Sequence, residues 1–186
     1  MKYLLILATT ALMSFQVMAA DLKSKDVSQW LSAMPTLKSW LTEHEDEISA
    51  NISDRNDPEV VFKESIAALK KAKLYDELNQ KVQKLGYSNV EEWSKVTEQV
   101  TFAWMAIEMD ANKAEVDAAK AQYKAMETNP DIPPAQKAMM QEMMAPAIAM
   151  IALADRASAA DKAAVKPHQQ KLNNYFNAEE ETESEE

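Results

Sequence analysis

Apolar residues recur at steps of three and four through most of the chain, which is the spacing of one face of an α-helix. The longest early stripe lies between residues 27 and 52, and shorter stripes follow over residues 62–69 and 74–85. No stretch alternates apolar and polar residues for long enough to predict a strand. The pattern predicts an all-α fold, a single helical bundle of five to seven helices.

Residues with capping preferences mark where these helices begin and end. Asp57 followed by Pro58 predicts a sharp helix start, because Asp accepts bonds from free N–H groups and proline suits the first turn. Gly86 predicts a helix end in the left-handed conformation. Residues 88–91, with the sequence Ser-Asn-Val-Glu, predict a capping box that opens the longest helix, which we expect to run to about Met126.

The predicted long helix carries a heptad seam whose steps alternate between four and three. Its members are Trp93, Thr97, Val100, Trp104, Ile107, Ala111, Ala114, Ala118, Ala121 and Ala125. The alanines in its second half permit one partner helix to approach closely. The same steps recur at Met140, Met144, Ala147, Ile151 and Ala154. The two runs predict a long central helical hairpin with antiparallel arms.

Two prolines lie inside predicted helices. Proline lacks the N–H that a helix needs and its ring clashes with the preceding turn. We therefore expect Pro35 to kink or divide the first helical element. We expect Pro146 to kink the second arm of the hairpin near Met143.

Composition excludes several classes of site. The chain has 186 residues, which suits one domain, with one Gly, two His and no Cys. Without Cys there is no disulfide framework, thiol nucleophile or thiolate metal site. One glycine is too few for a Gly-rich phosphate loop.

The first twenty residues resemble a secretory signal peptide. Lys2 is followed by an apolar run over residues 3–13 and by small residues suited to cleavage after Ala19 or Ala20. The run is too short to span a bilayer, and no later stretch is long and apolar enough to do so. The sequence predicts export to the periplasm, with a signal peptide over residues 1–20, a helical domain over residues 21–178 and no membrane insertion after cleavage.

Charge is unevenly distributed. Residues 21–186 carry 30 acidic and 19 basic side chains, and residues 179–186 alone hold six Glu. A segment of this kind predicts a disordered acidic C-terminal tail over residues 179–186. An acidic chain with two Arg is a poor ligand for nucleic acid or anionic membranes, so neither is an expected partner.

The most distinctive local feature is a methionine cluster at residues 139–144, Met-Met-Gln-Glu-Met-Met, with Met150 one to two turns further on. Methionine fills irregular core space, so core packing is one interpretation. An adaptable surface that binds a partner is the second, through Met139, Met140, Met143, Met144 and Met150. A thioether site for Cu(I) is the third, with Met126 or Met150 as a further ligand.

Other candidate chemistry is weak. Glu43, His44 and Glu47 have metal-ligating side chains, but His44 falls on the apolar face of its helix and is expected to be a partly buried core residue. Carboxylate pairs such as Glu91 and Glu92 occur in any acidic helical protein, and no serine elbow or His pair accompanies them. The sequence therefore predicts no catalytic residue, no metal site and no cofactor.

The chain resembles small uncharacterised exported all-helical proteins of Gram-negative bacteria. The resemblance rests on the export signal, the Cys-free acidic body and the Gly-Tyr-Ser-Asn-Val-Glu-Glu-Trp corner at residues 86–93. The layout is also similar to that of small periplasmic stress-response chaperones, but their repeated Leu-Thr-x-x-Gln motif is absent. Neither resemblance implies particular site residues.

These features favour a non-enzymatic periplasmic binding protein. We expect it to be chaperone-like, and to capture apolar segments of a protein partner through the methionine cluster. One alternative is a structural or assembly component that pairs through its long helix, as a homodimer. The other is a Cu(I) carrier.

Overall fold

The computed structural model describes residues 21–55 and 57–183, and within them the chain is all-helical, without a strand. The all-α prediction is therefore confirmed. The predicted signal peptide lies outside the described residues. The elements are α1 (Ser24–Glu43), α2 (Glu45–Ser49), α3 (Pro58–Lys71), α4 (Tyr75–Lys84), α5 (Val90–Ala111), α6 (Lys113–Thr128), α7 (Pro134–Ala154), α8 (Ala159–Val165), a 3-10 turn (Lys166–His168) and α9 (Gln169–Glu183).

The described ranges hold nine α-helices, so the prediction of five to seven is too low. Pro35 lies inside α1 without dividing it, and α7 likewise continues past Pro146 to Ala154. The first element divides at His44 instead, where the backbone N–H donates to the carbonyls of Trp40 and Leu41. Three acidic residues then form the first turn of α2, where the helix dipole favours negative charge.

The predicted long helix ends at Asn112, which is a correction to the sequence analysis. Asn112 has φ −109° and ψ 29°, and its backbone N–H donates to the carbonyls of Glu108 and Met109. Its side-chain Nδ2 also donates to the Glu108 carbonyl at 3.0 Å. Local hydrogen bonding of this kind competes with helix continuation, and α6 restarts at Lys113 with a different face inward.

This change of face overturns the alanine half of the predicted seam. Ala111, Ala114, Ala118, Ala121 and Ala125 are all exposed. The residues of α6 that are buried or half-buried are Val116, Ala119, Tyr123 and Met126. The predicted seam of α7 is likewise only partly buried. Ala147 is exposed, whereas Ile151 and Ala154 are buried.

Two of the three predicted caps form where expected. Asp57 Oδ1 accepts from the Glu59 N–H at 2.8 Å, and Gly86 has φ 92°. The third cap is displaced by one residue from the predicted capping box, because Asn89 Oδ1 accepts from the Glu92 N–H at 2.8 Å. Glu92 in turn accepts from the Ser88 N–H. The displaced cap still begins α5 at Val90.

The main core lies where α1, α4, α5, α8 and α9 meet. Its largest fully buried side chains include Trp30, Leu37, Leu78, Val100 and Leu172. A second cluster joins α5 to the C-terminal end of α7 and is composed of Phe102, Met105, Ala106, Leu153 and Ala154. The first half of α7 contributes to neither cluster.

Helix α6 contacts both the start of α7 and the residue that follows its end. Lys120 Nζ of α6 donates to Asp155 just after α7 at 3.0 Å, and Lys137 Nζ near the start of α7 donates to the Glu127 carbonyl at 2.9 Å. We call residues 113–148 the arm. Within those residues Met126 is the one buried side chain.

The C-terminal end differs from the prediction. Residues 179–183, assigned by the sequence analysis to a disordered acidic tail, belong to α9. Glutamate has a good intrinsic helix propensity, which allows an existing helix to propagate through such a segment. The remainder of the predicted tail, residues 184–186, lies outside the described residues.

Candidate partner-binding site

The candidate site lies on the first half of α7. Over residues 134–148 the only charged side chains are Lys137 and Glu142, and apolar residues are distributed around the helix. A helix that is apolar on all sides normally lies in a protein core or in a membrane. Here the buried residues of α7 are Ile151, Leu153 and Ala154, all at its C-terminal end. The first half is therefore largely apolar but at most half-buried.

Two methionines define the exposed part of this helix. Met139 is 58% exposed and Met143 is 75% exposed. In the described part of the chain, these two are the large apolar side chains that are mostly exposed to solvent. They are four residues apart, so they lie on one face of α7. We call this pair the methionine face. Contiguous exposed apolar patches are typical of interaction surfaces, whereas single exposed apolar residues are common on any protein.

The other three methionines of the predicted site are less accessible. Met140, Met144 and Met150 are half-buried, and Met150 packs against the cluster that contains Phe102 and Met105. The structure thus divides the predicted set into two exposed and three partly buried side chains. Neighbouring methionines differ in exposure because a helix turns about 100° per residue, so that adjacent side chains face different directions.

The arrangement offers two thioethers to a copper ion at the methionine face. The copper interpretation also names Met126 and Met150 as further ligands, and both occupy packing positions. Met126 is buried at 4% exposure, and Met150 contacts the second core cluster. The chemistry available at the face itself is therefore apolar contact, with flexible and polarisable side chains that adapt to different surfaces.

Ion pairs hold the base of the arm. Lys113 bonds Asp117 at 2.9 Å within α6, and Lys162 of α8 bonds Asp110 of α5 at 3.1 Å. The hydrogen bond that Lys113 donates to the Asp117 carboxylate is the main cause that raises the pKa of Lys113. Of the ion pairs near the break at Asn112, the Lys120–Asp155 pair is the one that joins α6 to another part of the chain.

A second set of contacts ties the end of α7 to α3. Arg156 Nη2 bonds Glu59 Oε1 at 2.8 Å, and Lys63 bonds the same oxygen at 2.7 Å. The hydrogen bonds from Lys63 and then Arg156 lower the pKa of Glu59. The methionine face is thus carried by a helix anchored at its C-terminal end.

Chemistry of other kinds is sparse. In residues 21–55 and 57–183, no group of three or more His, Asp or Glu side chains is arranged to hold a metal ion. His44 is half-buried, as its place on the apolar face predicts, with its ring centroid 4.6 Å from that of Trp40. Its Nδ1 lies 3.4 Å from Glu47 Oε1.

Sequence reasoning missed one pairing, between Ser24 and His168. Ser24 Oγ lies 2.7 Å from His168 Nε2, although the two are 144 residues apart. A serine nucleophile needs a base that a third group orients, and among the described side chains no carboxylate accepts a hydrogen bond from this imidazole. We interpret the pair as a contact that joins the 3-10 turn to the start of α1.

Membrane-spanning potential is limited to one broken segment. Considered singly, no helix of the described ranges is long and apolar enough to cross a bilayer. Taken together, the two segments Pro134–Ala154 and Ala159–Asn177 are long and apolar enough to do so. They are bent by 94° at the break between them.

No protein-family model, curated protein or solved structure gives a significant match to this chain. The fold itself defines an all-helical protein. Its function is therefore inferred from the placement and chemistry of its own residues.

Proposed function

We propose that this is a non-enzymatic, chaperone-like binding protein of the periplasm, which captures apolar segments of a protein partner on the methionine face. The observation that carries the proposal is the exposure of Met139 and Met143, at 58% and 75%, on a helix that is apolar on all sides. Half-buried Met140 and Met144 adjoin the face and extend the apolar surface.

Methionine suits the capture of varied segments. Its unbranched side chain adopts several shapes at small cost, so one surface accommodates partners that differ in sequence. The expected partner segment is an amphipathic helix whose apolar side lies along α7. A chain with a formal net charge of −10 repels its own copies, which keeps an exposed apolar surface from promoting aggregation.

A labelled peptide tests this proposal. The probe is a fluorescein-labelled peptide with Leu at positions i, i+3, i+4 and i+7, and its control has Gln at those positions. Fluorescence anisotropy is expected to show binding of the Leu peptide only. The double variant Met139→Gln and Met143→Gln is expected to bind it at least tenfold more weakly, because burial of two methionines is removed.

The matched control is Ala121→Gln with Ala125→Gln, which places the same residues at the same spacing on the exposed side of α6. This variant is expected to bind the Leu peptide as the wild type does. Equal affinity of the wild type and the methionine double variant would contradict the proposal. Urea unfolding of each variant confirms that the fold is retained.

A structural or assembly role is the second candidate, and the exposed alanines of α6 favour it. Ala114, Ala118, Ala121 and Ala125 are spaced for close approach of another helix. In that case sedimentation equilibrium would show a homodimer that dissociates in the Ala121→Gln and Ala125→Gln variant. A protein that stays monomeric at high concentration would count against this role and leave peptide capture in place.

A further inference from the structure

One charged side chain is buried in the part of the chain that the structure describes, and it is the carboxylate of Asp161. It is 7% exposed and belongs to the first turn of α8. Its Oδ1 accepts a hydrogen bond from the Leu22 backbone N–H at 2.8 Å and another from Gln99 Nε2 at 3.4 Å. Both donors are neutral, so they satisfy the hydrogen-bonding capacity of this oxygen without matching its charge.

Among the described side chains, no cation pairs with this carboxylate. None of their ion pairs includes Asp161. The N-terminal end of α8 supplies only a partial positive charge. Buried charges in proteins are normally paired, because a lone charge loses its hydration and gains nothing in exchange. The Asp161 carboxylate therefore calls for a cation that these side chains do not supply.

The predicted cleavage site of the signal peptide lies next to this contact in the sequence. Cleavage after Ala20 makes Asp21 the first residue and turns its backbone nitrogen into an ammonium group. Neighbouring backbone nitrogens are at most about 3.7 Å apart, so the Asp21 nitrogen lies within about 6.5 Å of Asp161 Oδ1. Asp21 and Gln99 also line one cavity of about 180 Å³, which places them close together.

We propose that the signal peptide is cleaved after Ala20, and that the new α-ammonium group of Asp21 pairs with the buried Asp161 carboxylate and stabilises the mature fold. A peptidase hydrolyses the Ala20–Asp21 bond. Water supplies an oxygen to the new Ala20 carboxylate, and the Asp21 nitrogen takes up protons and becomes the ammonium group. Before cleavage this nitrogen is an uncharged amide, so the pair forms only after processing. Cleavage after Ala19 would place the ammonium group one residue further from Asp161.

The dipole of α1 predicts the opposite effect of the same charge. Helix α1 begins at Ser24, three residues after Asp21. A positive charge near the N-terminus of a helix is unfavourable. If the ammonium group acted on α1 alone, neutralising it would stabilise the protein. If it pairs with Asp161, neutralising it destabilises the protein, so the sign of the effect separates the two.

The test begins with the intact mass of the protein recovered from the periplasm of a Gram-negative host. The expected first residue is Asp21. This mature protein is then compared with the same chain acetylated selectively at its α-amino group, because an acetyl group reproduces the neutral amide of the precursor. In urea unfolding, acetylation is expected to raise the unfolding equilibrium constant about tenfold, an effect between those of exposed and buried ion pairs.

Two matched variants separate Asp161 from another nearby carboxylate. Asp26 lines the same cavity as Asp21, and its Oδ2 accepts from the Lys23 N–H at 3.0 Å. In Asp161→Asn, acetylation is expected to raise the unfolding equilibrium constant less than twofold. In Asp26→Asn, it is expected to raise this constant about tenfold, as in the wild type.

This site goes beyond the proposed partner-binding function and is independent of it. Neither Asp21 nor Asp161 belongs to the arm. The Met139→Gln and Met143→Gln variant is therefore expected to respond to acetylation as the wild type does. Failure to bind the Leu peptide would leave the Asp161 pair standing, and loss of the pair would leave peptide capture standing.

Three results would overturn the proposal. The first is a protein recovered from the periplasm whose first residue is not Asp21. The second is an acetylated wild type that is as stable as the free form or more stable. The third is an effect of acetylation that persists undiminished in Asp161→Asn. Because the first two are measured on the wild-type sequence, the test holds even if a variant fails to fold.

Discussion

The core and the arm are both rich in apolar residues, yet they differ in how much of that surface is covered. Leu37, Leu78 and Val100 in the core are fully buried. In the arm, residues 113–148, one side chain is buried, Met126. Apolar composition alone does not decide burial, because a side chain is covered only where another element packs against it.

The two regions also use different apolar residues. The core is built from large aromatic, branched and Leu side chains, which remove much apolar area from water. The arm is built mainly from Ala and Met, with Lys and Glu between them, and all four are good helix formers. The arm therefore depends on helix propensity and on its anchoring contacts, and many of its apolar side chains remain exposed.

The largest expected difference is in the free energy of unfolding, when one side chain is truncated in the core and one in the arm. Leu78→Ala removes a fully buried side chain and is expected to lower the free energy of unfolding by about 2–5 kcal/mol. Met143→Ala removes a side chain that is 75% exposed and is expected to change it by less than about 0.5 kcal/mol. Urea unfolding followed by circular dichroism measures both. Equal losses would mean that the arm is as well packed as the core.

A smaller effect concerns pH and the core residue Tyr87. Burial, with a lesser contribution from Asp26, raises the pKa of Tyr87 to about 12 from its usual 10.0. As the pH rises from 10 to 12, the unfolded chain loses this proton first, so stability is lost across that range. The expected loss from this group is about 2 kcal/mol.

Tyr87→Phe isolates this contribution. Its free energy of unfolding is expected to fall less than that of the wild type between pH 10 and 12. At pH 7 the variant is expected to be at least as stable, because the Tyr87 hydroxyl has no hydrogen-bond partner in the described structure. Parallel pH profiles of the two proteins would show that Tyr87 is accessible to solvent in the folded state.

The smallest effect is expected at the base of the arm. Lys120→Ala removes the ion pair with Asp155, whose side chains are 44% and 67% exposed. Exposed pairs contribute little, so the expected loss is below about 1 kcal/mol and disappears in high salt. Urea unfolding at low and high salt measures it. A larger, salt-independent loss would mean that the arm is held more rigidly than these exposed contacts suggest.

Local signals in the sequence predicted much of the fold. The spacing of Val27, Trp30 and Leu37 identified a face that is buried, and Asp57 and Gly86 marked real helix boundaries. These features depend on neighbouring residues alone. The break at Asn112 was missed, because Asn is tolerated within helices and its competing hydrogen bond is seen only in the folded chain.

The candidate sites were predictable to different degrees. The sequence identified the methionine cluster, but Met139 and Met140 are neighbours that face different directions, and only the packing of α7 shows which one is exposed. The contact between Leu22 and Asp161 left no signal in the sequence. The two residues are 139 positions apart, so no local pattern predicts it.

The central claim is that the methionine face is exposed to solvent in the free protein and becomes buried when a partner binds. Because the chain has no Cys, a thiol introduced by Met143→Cys reports on that position alone, and Met105→Cys provides a buried control at 5% exposure. Labelling rates are measured with and without the Leu peptide. We expect position 143 to react quickly and to become at least tenfold slower with peptide, while position 105 stays slow in both. Two results would contradict the account. One is that, in the free protein, the thiol at position 143 is labelled as slowly as the thiol at position 105. The other is that the peptide leaves the labelling rate at position 143 unchanged.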